Sequence, residues 1–343
     1  VPDTTPFADV TYPGPAYFDG NVSEWTWTIT GGPCDQLFLL TTGEPPVQSF
    51  SVGNIATATP TASYTLAGDY TINMSARSGG RDYRCQFVQH VVGPGVRVEL
   101  CWDTGPRSDL DLHVHQPNHQ TNFFGANKTL GEAWGEDCDF INCLPPLPPD
   151  PLLQSGKPSV LAKPSWGYPA TGFGDCEGDN QGGTWMQMAT CANPRLDTDV
   201  TEAFGVPENT NIDNPNDGDS FRVLVHYYGI NTQVLLGGGA FDPPPPTPIG
   251  NPNDNVVVLP THPMVNVYCA GHLKASYGQA PDVVPNFATA GGWARGNMWR
   301  VADVVAVVDA SGTTTDCKVT ALHPGNATSG YRVGMDDISF EGQ

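Results

Sequence analysis

The run SDLDLHVHQP at residues 108–117 alternates with a period of two. In an extended chain Leu110, Leu112 and Val114 line one face, and Asp109, Asp111, His113 and His115 line the other. One face is suited to burial in a sandwich, and the other gathers carboxylates that need a neutralising partner. The same period recurs in SEWTWTIT, RVELCWD, FRVLVHYYG, VNVYCAGHLKASYG, MWRVADVVAVVDA and CKVTAL. These strand-like runs come without the regular helical periods of a doubly wound α/β enzyme. The predicted fold class is therefore all-β.

Composition supports this. Only 15% of the 343 residues are charged, while 39 are Gly and 33 are Pro, which suits short strands and long turns. The 36 acidic residues against 15 basic ones give a formal charge of −21. That balance argues against a nucleic-acid partner, because a phosphate-binding surface must concentrate positive charge. No stretch approaches the roughly 18 apolar residues that read as a membrane-spanning helix. The chain begins at Val1 without a signal-like segment, which fits removal of a secretion signal.

The nine cysteines include no CxxC pair, so neither a thioredoxin-like centre nor a standard zinc knuckle is supported. Their wide spacing reads as disulfides in an oxidising compartment. The expected pairs are Cys34–Cys85, Cys138–Cys143, Cys176–Cys191 and Cys269–Cys317. Cys101, in the apolar run VRVELCW, is the expected buried free thiol.

Two units are expected. Residues 1–96 end at the short joint VVGPG, and residues 97–343 form a larger unit with insertions near 144–190 and 231–260. LPPLPPDP (144–151) and FDPPPPTPIGNPNDN (241–255) read as surface excursions, since proline is excluded from central strands. In the first unit AGDYTINMSA, with Gly68, Asp69 and Tyr70 at a turn into a late strand, resembles the immunoglobulin-like repeats named after the polycystic kidney disease protein. The resemblance implies an immunoglobulin-like sandwich in which Trp25, Trp27 and Tyr70 pack inward. Exposure of the tryptophans instead would make a sugar-stacking platform.

In the larger unit, PRLDTDVTEAFGVPENT repeats the acidic alternation with Asp197 and Asp199, and adds Glu208 and Asn209 after a Gly–Pro turn. Crowded carboxylates repel unless a cation cancels their charge, and calcium accepts six to eight oxygen ligands in irregular geometry. The expected ligands are Asp109, Asp111, Asp197 and Asp199, with Glu208 and Asn209 completing the set, around a structural Ca2+. The alternative is that these acids are solvent-facing caps of turns. His113 and His226 read as hydrogen-bonded structural histidines, because zinc needs three or four protein ligands and no third is marked.

An ordered series of motifs resembles the cysteine-rich YfaP-like secreted β domains: Trp102–Asp103, DLDLHV at 109–114, DCDFINC at 137–143, LDTD at 196–199, FGVPEN at 204–209, VHYY at 225–228 and VYCAG at 267–271. This resemblance implies a larger β-sandwich with long Pro/Gly-rich loops and a calcium-binding loop at the LDxD and PEN elements. The chain departs from that pattern at Val200 and by Val206, which separates Gly205 from Pro207.

No GxSxG elbow, P-loop, dinucleotide fingerprint or HExxH motif occurs. The expectation is a non-enzymatic extracellular or cell-surface protein that acts in adhesion, a surface layer or a filament. Its partners would be further copies of itself or another surface protein. A calcium-dependent carbohydrate-binding module is the alternative, with a glycan partner, followed by a secreted glycan hydrolase.

Overall fold

A computed structural model describes residues 1–6, 8–18, 20–22, 24–33, 50–53, 55–64, 66–102, 108–115, 117–118, 137–139, 143, 166–172, 190–198, 208–230, 263–278, 297–322 and 333–335. The strands are β1 (Asp9–Thr11), β2 (Glu24–Gly31), β3 (Phe50–Gly53), β4 (Thr61–Tyr64), β5 (Gly68–Ser78), β6 (Arg81–Val91), β7 (Val96–Trp102), β8 (Ser108–His115), β9 (Asp137–Cys138), β10 (Thr171–Gly172), β11 (Thr190–Cys191), β12 (Arg195–Thr198), β13 (Glu208–Ile212), β14 (Ser220–Ile230), β15 (Pro263–Cys269), β16 (His272–Tyr277), β17 (Asn297–Val308), β18 (Thr314–Ala321) and β19 (Val333–Met335). One helical turn, α1 (Gly14–Tyr17), accompanies them. The fold is all-β, and every ladder between these strands is antiparallel.

Strands up to Val91 form two three-stranded sheets, β2-β5-β6 and β1-β4-β3. Their alternating apolar residues meet in one core of Trp27, Ile29, Tyr64, Tyr70, Ile72 and Met74, with Tyr12 and Val91. Trp27 is buried, donates from Nε1 to the Thr57 carbonyl at 3.0 Å, and stacks with the half-buried Trp25 at 6.2 Å. The tryptophans thus pack as the alternation predicts. Tyr70, at the Gly-Asp-Tyr turn, is buried and donates to the Leu66 carbonyl.

Strands from Val96 onward form two larger sheets. One has the order β12-β13-β7-β15-β16, the other β18-β17-β14-β8-β9, with β19 also pairing β17. Val96, Val98, Leu100 and Trp102 of β7 meet Leu110, Leu112 and Val114 of β8 between the sheets, along with Phe221, Val225, Val267 and Trp299. The intervening residues of β7, Arg97, Glu99 and Cys101, point to the other face and are buried as well. The joint before β7 turns at Gly95, where φ is +69°. A Cβ there would lie 2.1 Å from the Ile212 carbonyl oxygen, so only glycine fits.

The two pairs of sheets touch. Leu66 packs with Cys101 and Met264, and the Ala67 N–H donates to Glu99 Oε1 at 2.6 Å.

Cys138–Cys143 and Cys269–Cys317 form the disulfides expected of them, the second joining β15 in one sheet to β18 in the other. The other cysteine expectations need correction. Cys85 is free and Cys101 is disulfide-bonded, which overturns both the Cys34–Cys85 pair and the assignment of Cys101 as the free thiol. Strand alternation explains the reversal: Cys101 leaves the inter-sheet core for the face against Leu66, whereas Cys85 packs on the first core beside Phe87. Cys191 is disulfide-bonded. Cys34, Cys176 and both proline-rich stretches lie outside the described residues.

Candidate metal centre

The apolar side of β8 is held in the inter-sheet core, so its polar side faces away from it. β9 pairs with the end of this strand in the register Val114↔Cys138 and His115↔Asp137. Cys138 therefore points inward with Val114, and the acids on either side of it, Asp137 and Asp139, point outward with the histidines. Asp137 Oδ2 lies 2.8 Å from His113 Nδ1, and Asp139 Oδ2 lies 3.6 Å from the same nitrogen. One ligand atom from each of the three residues lies within 4.8 Å of the others. Asp111 and His115 share the face, and all five side chains are at most 2% exposed.

Two carboxylates this close in a dry site repel unless a positive charge lies between them. A proton on His113 supplies one such charge, and a divalent cation supplies two. An imidazole nitrogen and two carboxylate oxygens form a donor set that can hold a metal ion. Local covalent structure fixes two of the donors. The disulfide to Cys143 closes a short loop around Asp139, the Cys143 N–H donates to the Asp139 carbonyl at 3.0 Å, and the Leu196 N–H donates to the Cys143 carbonyl at 3.1 Å. That last bond ties the corner to β12 in the opposite sheet.

The six residues predicted from sequence as calcium ligands are divided between different surroundings. Asp111 lies on the outer face of β8, in register with His226 of β14. Glu208 pairs with Leu100 and points into the sandwich, where its Oε2 accepts the Leu112 N–H at 2.6 Å. Its carboxylate thus meets β8 beside Asp111, at a backbone donor that β9 does not pair. Asp197 and Asn209 lie on the opposite face of their sheet from Glu208. Asn209 is in register with Glu99. Asp197 accepts from Arg195 Nε at 3.0 Å, from Arg97 Nη1 at 3.2 Å and from Asn211. Asp197 therefore has two guanidinium groups beside it. The side chain of Asp109 and the whole of Asp199 lie outside the described residues.

The arginine-rich face continues from Asp197. Arg97 Nε donates to Glu99 Oε1 at 2.7 Å, Arg97 Nη1 to Asn211 Oδ1 at 2.7 Å, and Arg195 also pairs with Asp213. Burial pushes the Glu99 carboxyl up to about 7, against the opposing pull of Arg97 and the Ala67 N–H. Burial alone would lower the Arg195 guanidinium, but Asp197 and Asp213 hold it above its ordinary value.

The expectation that the chain has no catalytic constellation is overturned by His113, Asp137 and Asp139, a donor set of the kind on which metal-assisted chemistry is built. In the sequence His113 and the segment DCDFINC are 24 residues apart and carry no local sign of their meeting. The D-x-D alternation at Asp137 and Asp139 was the available signal, because it places both acids on one face of any strand containing them. No family model matches the chain, and no curated protein or solved structure is significantly similar to it.

Proposed function

We propose that this chain is an extracellular structural or interaction module, with an immunoglobulin-like sandwich over residues 1–96 and a YfaP-like sandwich over 97–343 that a buried divalent ion braces. The observation that supports the reading is where the cross-links and the donor set fall: the Cys138–Cys143 clip, the Cys269–Cys317 link between sheets and the His113–Asp137–Asp139 cluster, which could hold an ion, all lie in the larger unit. Disulfides persist in oxidising compartments, which supports a site of action outside the cytoplasm. Among the described residues no helix is long and apolar enough to cross a membrane.

Exposed strand margins support association with another copy or with a surface protein. β6, eleven residues at the end of its sheet order, is exposed along much of its length, and Leu273 projects from the marginal strand β16. Such margins recruit a further strand from a partner. Sedimentation and electron microscopy of metal-replete protein test this: concentration-dependent assembly is expected. A chain that stays monomeric at every concentration and retains no surface protein from its own source overturns the reading. Trp27 is buried and Trp25 half-buried against it, which speaks for packing over a sugar-stacking role, so a glycan array is expected to show no binding that depends on either.

The donor set itself favours a second reading, in which the ion activates water for hydrolysis. Metal-dependent turnover of chromogenic ester, phosphoester or glycoside substrates, lost in Asp139→Asn, identifies that case.

A further inference from the structure

We propose that the ion at His113, Asp137 and Asp139 is a borderline divalent transition metal, of the class that includes zinc, rather than calcium. The inference rests on reading the cluster as a metal site and adds the identity of its occupant. Calcium is a hard cation that fills its shell with six to eight oxygens, and an imidazole at the centre of the cluster is a poor member of such a shell. Imidazole suits zinc, copper, iron and nickel, and carboxylates accompany it readily around zinc.

The geometry agrees with the chemistry. Around an ion bound at about 2.0–2.1 Å, tetrahedral ligand atoms lie roughly 3.3 Å apart. His113 Nδ1 stands 2.8 Å from one carboxylate oxygen and 3.6 Å from the other, on either side of that spacing, and one ligand atom of each residue lies within 4.8 Å of the others. The donors are also set by strand pairing: His113 lies within β8, and Asp137 lies in β9 opposite His115. His115 adds a second imidazole to the same buried face, two residues further along the strand. Two of the three donors sit on paired strands and the third, Asp139, lies next to the Cys138–Cys143 disulfide, so a set with one nitrogen and two oxygens matches a small ion of defined geometry better than a large one that needs six to eight oxygens.

Tag-free protein is stripped with a strong chelator, dialysed, and titrated separately with zinc, cobalt(II) and calcium. Calorimetry follows binding, and visible absorption reports cobalt in a low-coordinate nitrogen–oxygen site. A Cys85→Ser background removes the free thiol among the described cysteines as a competing ligand. One zinc or cobalt per chain is expected, with cobalt bands that zinc abolishes and zinc affinity at least about 100-fold above that of calcium. His113→Ala should weaken zinc binding by about 100-fold, and Asp139→Asn, a nearly isosteric change, should weaken it while circular dichroism stays that of the parent. Calcium binding equal to or tighter than zinc overturns the inference but leaves the metal reading standing. No binding of any of the three ions overturns both. Zinc binding that survives both substitutions places the ion elsewhere and overturns the inference.

Discussion

The larger sandwich has two buried polar faces, and they handle negative charge differently. On the outer side of β7, β12 and β13, acids meet arginines: Glu99 and Asp197 on Arg97, and Asp197 and Asp213 on Arg195. With Glu99 protonated, two guanidinium groups face two carboxylates and the charges cancel. On the outer side of β8 and β9, two acids meet a histidine, whose charge depends on pH and whose lone pair is a metal ligand. The first arrangement sets guanidinium groups against its acids, and the second offers a nitrogen and two carboxylate oxygens that could hold an ion. Both faces carry buried acids, so the acids alone do not decide which kind of site forms; the basic residues beside them do.

Removing the internal counter-charge tests the first face most severely. Arg97→Met leaves Glu99 without its guanidinium partner and Asp197 with Arg195 and Asn211, and should cost about 3–5 kcal/mol in denaturant unfolding. Because the two sets of side chains share no hydrogen bond among those described and are linked through the Leu196 backbone, the loss should be similar with and without chelator.

The pH dependence of the first face is next in size. The folded chain holds a proton on Glu99 up to about 7, whereas the ordinary carboxyl value is 4.5. Between those values the folded state binds the extra proton, so stability falls as pH rises through this window and the Glu99 contribution is level above it. The total effect is about 3 kcal/mol. Glu99→Gln should flatten this component of a stability profile measured by urea titration and leave the protein more stable than the parent at pH 8. An unchanged profile would remove Glu99 as its source.

Metal removal addresses the second face. Stripping the ion should lower stability by about 2–3 kcal/mol relative to protein held at a hundredfold excess of free ion over Kd, read as a drop in Tm. The smallest effect distinguishes positioning from bulk stability. Replacing Cys138 and Cys143 with serine opens a loop of only five residues, at about 2 kcal/mol of stability. It should nevertheless weaken metal binding by about tenfold or more, because Asp137 and Asp139 flank the released half-cystine.

Much of the β architecture was legible in the chain. Leu110, Leu112 and Val114 entered the core as their alternation requires, and the strands predicted around VHYY, VYCAG and WRVADVV formed. The disulfides Cys138–Cys143 and Cys269–Cys317 were legible too. Alternation tells which residues share a face, but not which strand becomes the lateral neighbour. β8 gained β9 and β14 in one sheet while Asp197 went to the other sheet, and that partition depends on contacts across the whole chain. Arg97 reaches Asp197 from 100 residues away, which no local pattern announces. Arg195, two residues before Asp197 and on the same face, was a local warning that the acid had a counter-charge of its own. The cysteine errors have the same origin: Cys101 sat in an apolar run whose two faces are covered by different elements.

The Cys269–Cys317 bond also bears on how the molecule would respond to force. A load applied at the chain ends passes directly between β15 and β18 through sulfur, bypassing the 48-residue span that carries β16 and β17. While that bond is intact, roughly 160 Å of contour length is withheld from extension. Stretching under thiol reductant should release that hidden length as an additional step, so the oxidised molecule acts as the shorter and stiffer tether.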